Sequence, residues 1–281
     1  MAHTTPRTWL ITGCSTGFGK ILAQAALDRG DNVVATARRP ETLADLKPAA
    51  DGKLQVARLD VTRPGEAAAA AELAEQRFGR LDILVNNAGY GFVGAIEEGE
   101  PEEYRPMFET NVFGLIETTR AALPALRRSR GGRIVNLSSI AGIAGRAGFG
   151  YYNASKFAVE GLSEALAQEV APFGVKVIIV EPGPFRTEFL GRSINAARNE
   201  MPAYAETSGV TRRYAAENDG LQGGDPHKAI AVILKAIDSD APPLHLVLGD
   251  EAYPRVRAKL KAFEADLDAW EPLGGAATRF D

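Results

Sequence analysis

Short apolar runs, none strictly alternating, recur along this chain with helical patterning between them. "TWLIT" is followed by "GKILAQAALDRG", then "NVVATA" and "PETLADLKPAA". "LQVARLDV", "PGEAAAAAELAEQRFG" and "LDILVNNAG" come next, then a long helical pattern from about Glu102 to Arg128, then "GRIVNLS". A helix from about Tyr151 to Pro172 precedes "VKVIIVEPG". Continuous apolar strands are covered on both faces, as in a parallel sheet. With a helix in each right-handed crossover, the predicted fold is α/β, a Rossmann-type doubly wound parallel sheet. Its ligands belong beyond the strand C-terminal ends, at the switch point.

The 281 residues suit a single domain, 1–281. Residues 8–190 form its expected core. Residues 188–224, polar and mixed, are read as a substrate lid. Residues 225–281 are read as a helix (Pro226 to Asp238), the strand "LHLVL" and a final helix from about Asp250 to Trp270. The alanine run at 67–71 needs only helix propensity to explain it. A net charge of −4 gives no reason to expect nucleic acid or anionic lipid as partner. Cys14 is the only cysteine, and no apolar run is long enough to span a membrane. A cytoplasmic location is therefore expected. His3, His227 and His245 are scattered, so no metal site is expected.

"TGCSTGFGK" follows the first strand and opens the first helix. Gly13, Gly17 and Gly19 would let the backbone turn tightly against a pyrophosphate, with amide donors at the helix start. Ser15 and Thr16 add hydroxyls. A glycine-rich turn without a ligand is the bland alternative. An acid binding the ribose hydroxyls of NAD falls roughly 20 residues beyond such a turn. Ala37 stands there, followed by Arg38 and Arg39. A guanidinium suits a 2′-phosphate, so NADP(H) is expected before NAD(H).

Tyr152 and Lys156 are one helical turn apart; Tyr151 has Ser155 at the equivalent place. Val159 and Ser163 fall on the Tyr152 side, and Ala158, Leu162 and Ala165 on a packing face. A nearby ammonium would draw a phenol down from ~10 and let it exchange protons near neutrality.

The glycine turn, "NNAG" at 86–89, Asn111 in "TNVFG", "VNLSS" ending at Ser139, "YNASK" and "EPGPFRT" occur in one order. Together they resemble the short-chain dehydrogenase/reductase family over about residues 8–190. The resemblance implies an oxidoreductase moving hydride between NADP(H) and a carbonyl or secondary alcohol. It makes Ser139 the hydrogen-bond donor to the substrate oxygen and Tyr152 the general acid or base. Lys156 would bind the nicotinamide ribose and lower the phenol's pKa. Asn111 would hold a water linking the lysine to solvent. Ser138, in the wrong register, is left a structural part. Gly13, Ser15, Gly17, Phe18 and Gly19 would surround the pyrophosphate. Asp60, beside Val61, would take the adenine amino group. Asn87, Ala88 and Gly89 would line the adenosine ribose, although Asn86 and Asn87 could simply brace the sheet. Pro182, Gly183 and Thr187 would shape the nicotinamide pocket.

Apolar residues after Gly89, after Ser139 and from Phe185 to Leu190 favour an uncharged, fairly hydrophobic small molecule. Met201 and Tyr204 are further candidates for the lid. The resemblance also implies a homodimer or homotetramer, paired through the helices carrying Asn111 and Tyr152. A non-catalytic NADP(H) sensor and a methyltransferase use similar sheets, but the latter leaves the Tyr-Lys spacing without a role.

Overall fold

The computed structural model describes residues 5–129 and 131–279. Its elements, in chain order, are β1 (Thr8–Ile11), α1 (Gly17–Asp28), β2 (Asn32–Ala37), β3 (Leu54–Arg58), α2 (Glu66–Phe78), β4 (Ile83–Asn86) and β5 (Gly91–Val93). There follow α3 (Pro101–Phe108), α4 (Gly114–Arg128), β6 (Arg133–Leu137), α5 (Gly150–Val170), β7 (Lys176–Pro182) and β8 (Ile194–Ala196). The chain continues through α6 (Ser208–Glu217), α7 (Pro226–Asp238), β9 (His245–Leu248) and α8 (Ala252–Gly274).

The main sheet has seven strands in the order β3-β2-β1-β4-β6-β7-β9. Every pairing is parallel, from Val33 against Leu54 at one edge to Pro182 against Leu248 at the other. Parallel strands require crossovers, and these cover both faces with helices. One core lies under α1 and α7, where Trp9, Ile11 and Val33 meet Leu22, Leu27 and Ile233. The other joins Leu10, Leu84 and Ile134 to α2, α4 and α5 through Ala70, Ala74, Leu126 and Leu166. The alanines of α2 thus have a packing role: four are buried, and their small side chains bring the helix close to the sheet. Glycines in the left-handed region, Gly65 (φ 83°) and Gly79 (φ 77°), bound that helix. Asp225 caps α7 by accepting from the amides of His227 and Lys228, with Pro226 at the first helical position.

Two expectations need correction. "PETLADLKPAA" holds only a 3-10 turn, Pro40–Leu43, so the β2–β3 crossover is not an α-helix. Leu43 and Leu46 are buried there, but no longer apolar stripe follows, and Pro48 offers no amide. The segment from Glu102 to Arg128 is not one regular helix either. A π-turn, Glu109–Phe113, separates α3 from α4, three residues beyond the amide-free Pro106. Residues 188–224 are more ordered than their composition suggests. They contain β8, which pairs in parallel with β5, and α6. Arg212 pairs with buried Glu98 at 3.0 Å, and Arg198 with Glu103 at 2.9 Å.

The order of the sheet reverses at β1, which lies between β2 and β4. The crevice beyond β1 and β4 is held together by side chains. Thr12 Oγ1 accepts from the amides of Asn87 and Ala88, both at 2.9 Å. Asn87 Nδ2 donates to the carbonyls of Thr12 and Gly13, also at 2.9 Å. A Cβ on Gly19 would stand 2.3 Å from Asn87 Nδ2 and 2.5 Å from the Gly13 carbonyl oxygen. Gly19→Ala should therefore destabilise the fold by roughly 2 kcal/mol through overpacking. Thermal unfolding measures this as a lowered Tm, whereas an unchanged Tm would mean the turn has room for a methyl group.

Candidate active site

A cleft of about 1440 Å³ lies beyond the C-terminal ends of the strands. Gly13, Ser15, Thr16, Gly17 and Phe18 line one wall, and Arg38, Asp60 and Val61 lie farther along. Asn87, Ala88, Gly89, Ser139, Tyr152, Lys156, Pro182, Gly183 and Thr187 complete the predicted set. Gly19 and Asn111 are absent from the lining. Gly19 is buried against Asn87, a place that only the lack of a Cβ permits.

Gly13 (φ 70°) and Gly17 (φ 57°) adopt the left-handed region, which carries the chain from β1 into α1 around a tight corner. Thr16 precedes α1 without a side-chain cap, so the first amides of the helix are not capped from within. That donor set, with its positive helix end, fits a pyrophosphate. Arg38 is exposed on the cleft wall. Asp60 accepts from the amide and hydroxyl of Thr62, at 3.1 and 2.7 Å. Its burial works against ionisation, but the Thr62 bonds and the Arg38 and Arg63 charges prevail and hold its carboxyl below the usual range. Phe18 packs edge-on against Phe185, ring centroids 5.5 Å apart, which suits an aromatic residue at this turn.

The two tyrosines opening α5 part company. Tyr151 stacks on Tyr104 at 4.2 Å, and its hydroxyl donates to the Ile96 carbonyl at 2.8 Å. It is bound into the fold. Tyr152 lines the cleft, 7% exposed, with Phe149 and Phe189 against its ring and the Ser139 hydroxyl within hydrogen-bond reach. Ser139 Oγ also accepts from the Ala141 amide at 3.1 Å. Ser138 instead donates to buried Glu160, as the register implies.

The electrostatics differ from the sequence-based expectation. Burial raises the Tyr152 pKa well above that of a free tyrosine, and the Ser139 hydrogen bond opposes this only in part. Lys156 Nζ stands 5.8 Å from the ring centroid and donates to the Leu137 carbonyl at 2.7 Å. Burial lowers the lysine to about 8, with Glu160 pulling the other way. The ammonium is spent on a carbonyl, not on the phenol. Asn111 is also engaged. Its amide donates to the Tyr90 carbonyl at 2.9 Å and Ser155 Oγ at 3.1 Å, while its oxygen accepts from the Tyr90 amide at 3.0 Å. The π-turn aims it inward, where it ties the loop after β4 to α5.

Several lining residues were not foreseen. Arg146, Phe149, Tyr214 and Arg255 border the cleft, whereas Met201 and Tyr204 do not. The Arg146 guanidinium lies 5.0 Å over the Tyr214 ring, and Arg255 donates to the Ala144 carbonyl at 2.7 Å. They come from three separate parts of the chain, and no local spacing marks them. Ala158 and Ala165 of α5 are exposed and Leu162 half-buried, so the expected packing face is not covered by this chain.

Behind the cleft, Glu160 and Glu181 lie buried side by side with His245, their ligand atoms within 4.8 Å of one another. His245, read from sequence as isolated, thus meets two acids; His3 lies outside the described residues.

Residues 7–198 match the short chain dehydrogenase family, and the chain belongs to it. A short-chain dehydrogenase from Streptomyces avermitilis superposes with a TM-score of 0.91 at 45% identity, covering 98% of this chain and 100% of that one. Oxidoreductase BOA17 of Botryotinia fuckeliana is 36% identical over 273 residues, 96% of this chain and 99% of that protein. The 3-ketodihydrosphingosine reductase of Bacteroides thetaiotaomicron is 40% identical over 245 residues, covering 87% and 88%. Related folds have been solved with either dinucleotide. One from Burkholderia cenocepacia J2315 in complex with NADP has a TM-score of 0.71 at 28% identity, covering 95% and 96%. One from Burkholderia phymatum in complex with NAD has a TM-score of 0.78 at 24% identity, covering 96% of each chain. The chain is thus an oxidoreductase that transfers hydride between a nicotinamide cofactor and a small organic substrate.

The Glu160 carboxyl is raised from 4.5 to about 7, first by burial and then by the Glu181 charge; the Ser138 hydroxyl and His245 oppose this. Lys156 feels the same carboxylate, and Glu164 flanks His245 at 3.8 Å. Glu160 therefore holds its proton more tightly in the folded than in the unfolded chain. Its contribution is fully present below about pH 4.5 and is lost as pH rises through about 7. Glu160→Gln should remove a loss of stability on the order of 2 kcal/mol between pH 5 and 7.5. Urea midpoints at the two pH values test this, and an unaltered slope in the variant would count against it.

Proposed function

We propose that the chain is an NADP(H)-dependent dehydrogenase/reductase acting on the carbonyl or secondary alcohol of an uncharged, fairly hydrophobic small molecule. The observation that carries the reading is the meeting of Ser139, Tyr152 and Lys156 on one cleft with the glycine turn and Arg38. The nicotinamide supplies or accepts the hydride when bound. Gly13, Ser15, Thr16, Gly17 and Phe18 would hold its pyrophosphate, with α1 amides as donors. Asp60, Val61, Asn87, Ala88 and Gly89 would border the adenosine. Pro182, Gly183 and Thr187 would border the nicotinamide, and Lys156 its ribose.

In reduction, negative charge grows on the substrate oxygen. The Ser139 and Tyr152 hydroxyls donate to it, and Tyr152 releases its proton. Burial keeps that phenol protonated at neutral pH, which suits it to the acid role. In oxidation, the Tyr152 oxygen, as phenolate, accepts the proton that the substrate hydroxyl gives up. Asn111 acts as a positioning residue, bracing the loop after β4 against α5. Residues 188–224 serve as the lid, contributing Phe189, Leu190 and Tyr214.

Phe149, Phe185 and Phe189 support an apolar substrate, as does the similarity to a 3-ketodihydrosphingosine reductase. A second reading of the substrate rests on Arg146 and Arg255, which both line the cleft and repel one another. An amphiphile with an anionic head would relieve that repulsion. Comparing a long-chain keto acid with its methyl ester, in wild type and Arg146→Ala, separates the two readings. Among the described residues no helix is long and apolar enough to cross a membrane. A cytoplasmic homodimer or homotetramer, paired through α4 and α5, completes the proposal. The exposed Phe113, Phe157, Ala158 and Ala165 support that pairing.

Tyr152→Phe should lower kcat by roughly 10³-fold while leaving NADPH binding, read by fluorescence, intact. Normal turnover would reject the assignment. Arg38→Asp should cut kcat/KM with NADPH by about a hundredfold and spare NADH. Steady-state rates with both cofactors measure this, and a wild-type preference for NADH would reject the NADP(H) reading.

A further inference from the structure

Helix α8 leaves the body of the molecule after its first turn. Of its residues, Ala252 alone is buried among the described residues. Tyr253 donates to the Val247 carbonyl at 3.0 Å and Arg255 to the Ala144 carbonyl at 2.7 Å, and these bonds anchor its base. The 23-residue helix is about 35 Å long. A solitary helix gains little stability without a packed apolar face.

Such a face exists. Tyr253, Val256, Leu260, Phe263, Leu267 and Trp270 follow a three-four spacing without a break. This is a heptad seam, with Tyr253, Leu260 and Leu267 at a and Val256, Phe263 and Trp270 at d. From Leu260 to Trp270 the seam residues are 54% to 66% exposed. Heptads are the pattern of helix pairing, whereas a helix lying on a single globular core more often shows a broader stripe.

The charges name the occupant. Arg255, Arg257, Lys259 and Lys261 occupy the first half of the helix, and Glu264, Asp266, Asp268 and Glu271 the second. We infer that α8 pairs antiparallel with α8 of a second copy of this chain. Antiparallel coils stack a against d, which sets Tyr253 on Trp270, Val256 on Leu267 and Leu260 on Phe263 of the other copy. In that register Lys259 meets Asp266 and Arg257 meets Glu264, each pair occurring twice by symmetry. A parallel pair would keep only Lys259 against Glu264 and would set Asp266 against Glu271. The contact is self-complementary, as a two-fold interface requires, and the opposed helix dipoles also favour it. It is separate from the exposed α4 and α5 face. It carries the tip of each helix to Tyr253 of its partner, two residues from the cleft residue Arg255.

Sedimentation velocity on the full chain tests this. The wild type should be assembled at micromolar concentration, and Leu260→Glu with Leu267→Glu should halve its mass, whatever other interface remains. An unchanged thermal midpoint would show that the body of the variant stays folded. Lys259→Glu should weaken the assembly about a hundredfold, and adding Asp266→Lys should restore it. A monomeric wild type, or a Leu260/Leu267 variant that sediments like wild type, would overturn the inference. So would a wild-type monomer that floats with phosphatidylcholine–phosphatidylglycerol vesicles. Failure of Asp266→Lys to rescue Lys259→Glu would overturn the antiparallel register.

Discussion

One side-chain amide fixes the gap in which everything else is arranged. Asn87 reaches from the end of β4 to the carbonyls of Thr12 and Gly13 at the end of β1, while Thr12 returns a hydroxyl to the Asn87 and Ala88 amides. Parallel strands splay as the sheet twists, and at the switch point no continuous ladder closes the loops. The reciprocal bonds close them instead. They hold Gly13 in its left-handed turn and place the start of α1 over the cleft. Gly19 is part of the same device, because any side chain there would displace the amide. Asn87 and Gly19 are therefore structural members of a ligand site, even though Asn87 also borders it.

A buried polar column behind the cleft shapes the chemistry from the other side. Ser138 ties β6 to Glu160 on α5, Glu160 adjoins Glu181 on β7, and Glu181 meets His245 on β9 at 2.7 Å. Lys156 lies one turn before Glu160 and is perturbed by it. Burial discourages the ammonium, and the neighbouring acid sustains it. The lysine's hydrogen bond to Leu137 fixes it beneath Tyr152 without touching the phenol. The phenol consequently stays a strong holder of its proton, where the pairing read from sequence made it acidic. An i, i+4 spacing says that two side chains share a face. It cannot say which acceptor a flexible amine will choose in a crowded interior.

This contrast marks how far the sequence could be read. The parallel sheet was legible because strands buried on both faces need continuous apolar runs, and each of the six runs quoted first became a strand. The motifs that carry Ser139, Tyr152 and Lys156 could be read in order along the chain, and the fold brings the three side chains to one cleft. The β2–β3 connection misled because "ETLADL" has helical composition, while Pro40 and Pro48 confine it to a single turn. The π-turn at Asn111 carries no composition signal beyond Pro106 upstream. The order in residues 188–224 comes from long-range pairs such as Arg212 with Glu98, whose partners lie 114 positions apart. Arg146, Tyr214 and Arg255 come from three separate parts of the chain and meet only at the cleft. Gly19 was legible as a required glycine but not as a packing one, since both tasks select the same residue.

The C-terminal helix joins the two scales of the molecule. At its base, the bond from Arg255 to the Ala144 carbonyl ties α8 to the chain two residues beyond the 3-10 turn Ile140–Gly142, which Ser139 caps. Arg255 also borders the cleft, so a movement of the helix cannot leave that wall unchanged. Along its outer length the side chains of α8 are exposed among the described residues. A second helix laid against the seam would restrain the outer turns and, through the rigid rod, the position of Arg255. The substrate end of the cleft would then be set partly by a contact more than 20 Å away along the helix, at ~1.5 Å per residue from Arg255 to Trp270.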